Sequence, residues 1–198
     1  MSERRTISRI KPDAMALRAL AHPQRLRMLG MLRIDGPATA TRLAERMGLN
    51  SGATSYHLRQ LARHGFIEED IERGNARDRW WKAAHETTTF LEDETDEDAL
   101  DAGLAFAEAA LSAQVMEMQR ALARHAQLPP EWRKASTMSD YIIPLNAADA
   151  EALLDKLNAV LLDAMEQAPK AGDNYAPGMK PVSIMLHAFP RASEEDGQ

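Results

Sequence analysis

The chain of 198 residues is 44% hydrophobic and has no Cys, so it can build one large or two small folded domains but no disulfide, zinc ribbon or thiol nucleophile. Its net charge of -6 is unevenly divided: Met1 to His85 holds 16 Lys/Arg against 9 Asp/Glu, and Glu86 to Gln198 holds 8 against 21. A basic half beside an acidic half offers a polyanion one attractive and one repulsive face, although two differently charged domains with no polyanion partner give the same count. The opening residues lack the apolar run of an export signal and no stretch approaches the length of a membrane span, which with the missing thiols points to a cytoplasmic protein.

Residues 1–11 read as a flexible basic arm. Residues 13–20 predict a short helix, and Pro23 suits the first position of a second one carrying Leu26, Leu29, Met31 and Leu32 and ended by Gly36-Pro37. A third helix is expected from about Thr39 to Met47, with Gly48 closing it. After only Leu49 and Asn50, a fourth begins at Ser51, capped by Asn50 or Ser51 and ended by Gly65. Thr54, Leu58 and Leu61 fall on one stripe of this helix, which should face the core. Its opposite surface carries Ser51, Gly52, Ser55, Tyr56, Arg59 and Arg63, a small, polar and cationic set without an acidic residue. Two strand-like runs follow, Phe66 to Glu72 and Arg79 to Ala83, joined by a Gly- and Asn-containing turn, and so predict a hairpin with a basic tip. Residues 12–90 make one unit.

An acidic run, Glu92 to Asp98, opens the next segment, 91–128. Thr95 followed by Asp98 resembles a capping box with Asp in place of Glu, and acidic side chains suit a helix N-terminus; a calcium loop would need a glycine and a terminal glutamate that the run lacks. The helix predicted from about Asp98 to Ala126 bears Leu100, Leu104, Ala107, Leu111, Val115, Met118 and Leu122 on one stripe. A small domain can hardly cover such a length, so the stripe calls for the same helix of a second chain or for the C-terminal segment. In residues 129–198 the pattern is strand, helix, strand: Asp140 to Leu145, limited to an edge by Pro144; a helix capped by Asn146 with Asp149; and Val182 to Phe189, closed by Pro190. Two strands and a helix are a thin core, so docking on the long helix or on a partner is expected.

The expected fold class is thus mainly α with a small β content. Two tightly joined helices followed by a basic hairpin outline a winged helix-turn-helix, whose second helix enters the major groove of double-stranded DNA. Small residues at its start allow close backbone approach, and Ser, Tyr and Arg can bond base edges and phosphates. The hairpin would bring Arg73, Arg77 and Arg79 to flanking phosphates or the minor groove. His57 is equally compatible with a packed or capping role and with a phosphate contact. Trp80 and Trp81 alternate on a strand, one directed inward and the other toward the recognition helix. The scattered Met residues read as core filler.

The residues also resemble a known family. Leu20-Ala21-His22-Pro23-Gln24-Arg25-Leu26-Arg27-Met28-Leu29 is similar to the opening helix pair of ArsR-type regulators. Leu43-Ala44 through Met47-Gly48-Leu49, then Ser55-Tyr56-His57-Leu58-Arg59-Gln60-Leu61 through Gly65-Phe66-Ile67, resemble that family's helix-turn-helix and wing entry. Arg79-Trp80-Trp81-Lys82-Ala83-Ala84 resembles the second wing strand of its non-metal relatives. The similarity spans roughly residues 15 to 85 and implies a dimeric DNA-binding repressor released by an effector. The chain departs from the metal-sensing branch: Thr39-Ala40-Thr41-Arg42 stands where those members carry cysteines, and the long helix has only His125 at its far end. No metal or cofactor is therefore expected. The signal would be an organic molecule or a partner protein, received between the long helix and the C-terminal segment; alternatively that segment only widens the dimer interface.

Two other classes, an enzyme and a protein adaptor, compete with this reading. Catalysis would draw on His85, His125, His187 and the carboxylates of the acidic half, but the chain has no P-loop, dinucleotide fingerprint, zinc-protease motif or nucleophile elbow. A winged helix used as a protein adaptor would not need a basic wing.

Overall fold

A computed structural model describes residues 4–74, 78–88, 96–173 and 175–191. Four helices come first: α1 (Ala14–Leu20), α2 (Pro23–Ile34), α3 (Ala40–Met47) and α4 (Ser51–Arg63). Each starts on a side chain that accepts an otherwise unpaired amide: Asp13, His22, Thr39 and Asn50 in turn. Gly48 and Gly65 end α3 and α4 with φ of 67° and 75°, a left-handed backbone that favours glycine. Beyond Gly65 the Phe66 amide donates to the Leu61 carbonyl at 3.0 Å, which directs the chain from the helix into the next strand.

That strand is β3 (Ile67–Glu69), which pairs antiparallel with β4 (Trp80–Ala83). The hairpin is thus present, with a first strand shorter than the expected Phe66 to Glu72. The far edge of β4 pairs with β2 (Ala38–Thr39), which the sequence reading had not separated from the start of the third helix. The core lies between this sheet and the helices: Leu20, Met28, Leu29, Leu43, Leu58, Leu61 and Phe66 are almost wholly removed from water.

The N-terminal arm is not free over its described part. β1 (Arg9–Ile10) pairs in parallel with β5 (Thr87–Thr88), Ile7 is buried, and the Glu86 amide donates to the Ser8 carbonyl at 2.9 Å. Isolated Ile residues between Arg and Ser gave no periodicity, yet one apolar side chain and a short ladder tie the arm down. Arg33, at the end of α2, completes this corner by donating to the His85 carbonyl and the Thr88 hydroxyl, both at 2.9 Å.

The long helix is α5 (Glu97–Arg124), 28 residues and about 42 Å at 1.5 Å per residue. Asp96 is its cap, accepting from the Asp98 amide at 3.1 Å; the expected Thr95 lies outside the described residues. α5 buries a face other than the one expected. Ala102, Gly103 and Phe106 pack into the core beside α1, and Arg18 of α1 holds Asp98 at 2.6 Å. Small residues let the two helices approach closely, and their spacing of one, three and four was overlooked beside the bulkier stripe. Of that stripe, Leu104, Leu111, Val115, Met118 and Leu122 remain exposed.

Beyond a short turn at His125–Gln127 come α6 (Pro130–Lys134), which the sequence reading did not foresee, and α7 (Ala147–Gln167), capped by Asn146 as expected. The two strands predicted around α7 are not formed. Residues 140–145 and 182–189 run without secondary structure, and all but Met185 are exposed. A strand needs a laddered neighbour to satisfy its amides and carbonyls, and neither segment has one in this chain. The C-terminal end of α7 is anchored by Arg4 to Asp163 at 2.9 Å and by the Arg5 amide to the Glu166 carbonyl at 3.1 Å. Among the described residues no helix is long and apolar enough to cross a membrane.

Phe66 is fully enclosed at the junction of α4 and the sheet. Phe66→Ala is expected to cost about 3–5 kcal/mol through lost transfer energy and an unfilled cavity. Urea unfolding followed by circular dichroism measures this, and a loss under 1 kcal/mol, roughly, would show that the junction collapses without it.

Candidate nucleic-acid interface

α4 is fixed from behind. Thr54, His57, Leu58 and Leu61 are buried at spacings of three, one and three, and the Thr54 hydroxyl donates to the Asn50 carbonyl at 3.0 Å. The three-residue turn Gly48-Leu49-Asn50 sets α4 across α3. Its outward surface presents Ser51, Gly52, Tyr56, Arg59 and Arg63 exposed, with Ser55 half-buried between them. The six recognition-helix residues expected from the sequence thus share one face. Arg59 lies along the helix, its Nε donating to the Ser55 carbonyl at 3.2 Å, so its remaining guanidinium donors stay available.

The wing is more nearly neutral than its Arg residues suggested. Arg73 lies 3.4 Å from Asp70, Arg79 lies 3.2 Å from Glu69 and near the Trp81 ring, and Lys82 lies 3.3 Å from Glu68. Arg77 lies outside the described residues. Counting cations at the tip missed the acidic residues one strand away: Glu68 faces Lys82 and Glu69 faces Trp81 in the ladder. Arg79 and Glu69 are both exposed, and exposed pairs of this kind exchange partners at little cost, so a phosphate can compete for Arg79; Arg73 is exposed but its partner Asp70 is buried.

Two features escaped the sequence reading. Arg42, exposed in the first turn of α3, lies over the Trp80 ring at 4.7 Å, so Trp80 supports α3 where it was expected to face the recognition helix. The signal was present in Thr39-Ala40-Thr41-Arg42, a stretch weighed only for its lack of cysteines. The second is a cluster behind α4. The rings of His22 and His57 stand 4.6 Å apart and Tyr56 meets His57 edge-on at 5.5 Å. His22 Nδ1 accepts from the Gln24 amide at 3.2 Å, while His57 Nδ1 and Arg25 Nε are buried without a protein partner. His57 is therefore a packed side chain, not an exposed phosphate ligand.

A cleft of about 730 Å³ lies apart from this face, between α2, β4 and the C-terminal part of α7. Ile34, Leu161, Met165 and Val182 give it apolar walls, and Arg33, Lys82, His85 and Glu86 are among its polar lining residues. Burial lowers the Arg33 guanidinium to about 10, partly offset by Glu86. His85 Nδ1 is buried without a protein partner. α5 does not line this cleft, whereas the effector site expected from the sequence lies between the long helix and the C-terminal segment.

Residues 20–70 match the family described as a helix-turn-helix domain. No curated protein matches the chain. Among solved structures, reduced HlyU from Vibrio cholerae is 26% identical, over 44% of this chain and 78% of that one, with a TM-score of 0.31. The winged helix-turn-helix domain of Mb0332 from Mycobacterium bovis, a possible ArsR-family regulator, is 23% identical over 51% and 79%, with a TM-score of 0.33. Lactococcus lactis ZitR is 13% identical over 72% and 83%, with a TM-score of 0.31. The family match covers α2, α3, α4 and β3, and with β4 beyond them these elements form a winged helix-turn-helix.

Burial lowers both His22 and His57 below the ordinary 6.5, with Arg25 adding to the effect on each and His22 adding to that on His57. Because the fold favours the neutral rings, their contribution is complete above about pH 6.5 and is lost as pH falls through the lowered values. The melting temperature is expected to drop between about pH 7.5 and pH 5.5. His22→Asn keeps an oxygen to cap α2 but cannot titrate, so it should flatten that slope; an equal slope in parent and variant would show that the protons go elsewhere.

Proposed function

We propose that this chain is a sequence-specific double-stranded DNA-binding transcription repressor that acts as a homodimer and is released from its operator by an organic effector. The observation that carries the reading is the outward face of α4: five exposed residues and one half-buried, two of them Arg and none acidic, on a helix pinned by four buried ones. Such a face enters a major groove without electrostatic penalty, while the acidic C-terminal half is turned away by the same field. Arg59 is assigned to base edges. Arg63, Arg73, Arg77 and Arg79, with Arg42, are assigned to phosphates; Ser51, Gly52, Ser55 and Tyr56 line the approach.

The dimer is supported by the exposed Leu104, Leu111, Val115, Met118 and Leu122 on α5, an apolar seam that a second copy of the same helix would cover. The effector is supported by the cleft at α2 and β4. Its apolar walls and the Arg and Lys side chains among its lining suit a small organic acid, and an occupant would press directly on the strand that carries the wing. In this reading no metal, cofactor or catalytic group is required, and the protein works in the cytoplasm.

Selection of bound duplexes from a random library is expected to return an inverted repeat with half-site centres about 34–36 Å apart. On the selected site, Arg59→Ala should cost about 1–3 kcal/mol and relax the preference at one base pair per half-site. Arg79→Ala should weaken all duplexes alike and make the salt dependence shallower. Equal loss on all sequences for Arg59→Ala would remove its base-reading role, and recovery of no enriched sequence would refute operator binding.

A further inference from the structure

The exposed surface is too large for one folded chain. At 22.0 kDa a monomer should expose about 9,300 Å², whereas this chain exposes 14542 Å². If the undescribed residues are granted the whole surface of an unfolded chain, an excess of about 2,500 Å² still remains. A seam along α5 of ordinary size removes only about 800 Å² from each partner. More than half of the excess therefore belongs elsewhere, and most of the other large exposed apolar side chains lie beyond residue 137.

Two runs concentrate them. Tyr141, Ile142, Ile143 and Leu145 make one nearly continuous exposed apolar run, and Val182, Ile184 and Leu186 alternate along the other at 63%, 67% and 42% exposure. The first is a short apolar run of strand length and the second has the period of a strand, and neither makes a main-chain hydrogen bond among the described residues. Neither carries a charge between Tyr141 and Leu145 or between Val182 and Phe189, although the surrounding half of the chain is strongly acidic. Acidic α7 surfaces oppose close association of two copies, so the uncharged runs are where copies can meet at least cost. Pro144 leaves its segment fit for one hydrogen-bonded edge only, the requirement of a strand added at the rim of another.

We infer that the C-terminal segments form a second contact between copies, in which residues 140–145 of one chain add as a strand alongside residues 182–189 of its partner, and reciprocally about a two-fold axis. The occupant of these apolar faces is thus a second copy of this chain. The inference deepens the dimer reading above and rests on it. Residues 182–189 keep their place at the mouth of the cleft, where Val182 and Ile184 contribute to its wall. The same pairing would complete the strand-helix-strand pattern written in the sequence, with each strand supplied across the interface.

The absence of native Cys makes disulfide trapping unambiguous. Full-length chains carrying Ile143→Cys and Ile184→Cys, one of them tagged, are coexpressed, oxidised and separated without reductant. The expected product is a covalent dimer with one chain of each kind, dissolved by thiol. Ile143→Asp should raise the dimer dissociation constant at least tenfold in sedimentation, because it places a charge in the paired face. The inference is overturned if the double variant Ile143→Cys/Ile184→Cys closes only within single chains, or if Ile143→Asp dimerises as the parent does. A trapped dimer that binds no duplex in the library would support the pairing and sink the regulator reading, so the two failures are told apart.

Discussion

The burial of one stripe of α4 is the contact on which the rest of the molecule depends. Leu58 and Leu61 belong to the same packed cluster as Leu20 of α1, Leu29 of α2, Leu43 of α3 and Phe66 at the sheet, so α4 cannot rotate without disturbing α1, α2, α3 and the sheet. Fixing one face of a helix fixes the other, because side chains three and four apart stand above one another. The outward set from Ser51 to Arg63 is rigid for that reason, and rigidity limits the entropy lost when such a surface meets DNA. The His22–His57 contact belongs to the same support: two rings pressed together under the start of α2 and the middle of α4, held neutral by their surroundings.

Helices α1 to α4, the Asn50 cap and the hairpin are legible because their causes are local. Asn50 precedes apolar periodicity, Gly48 and Gly65 end it, and nothing distant is needed to read them. The face of α5 that enters the core was not legible: Ala102 and Gly103 carry little hydrophobic weight, and their value lies in how closely α1 can approach. The parallel pairing of Arg9–Ile10 with Thr87–Thr88 joins residues nearly eighty positions apart and leaves no periodic trace in either. Wing electrostatics were misjudged for a related reason. Glu68 and Lys82 become neighbours only through strand register, so a count along the sequence could not cancel their charges.

The C-terminal third failed differently. Its pattern predicts strands and the isolated chain does not form them, yet that pattern is stronger there than along β1, β2 or β5, which do pair. Propensity states what a segment does when it has a neighbour, and whether the neighbour exists is a separate question. α7 shows the contrast: its hydrogen bonds are internal, so it forms fully although none of its residues is buried.

α5 joins these problems to the function. Its first turns are part of the DNA-binding core through Ala102, Gly103 and Phe106, whereas its remaining length projects an apolar edge away from that core. A rod embedded at one end in the unit that holds α4 transmits any change at its other end to α4, since neither the rod nor the packed cluster deforms continuously. In a dimer closed along this edge, the separation of the two recognition helices would follow from how the two rods cross. Under the proposed function, a ligand in the cleft beside α2 and β4 would not need to reach the outward face of α4. It would need only to favour one packing of α2 against the wing over another, because Leu29, Leu32 and Trp81 share a packed cluster with Leu58 and Leu61 of α4.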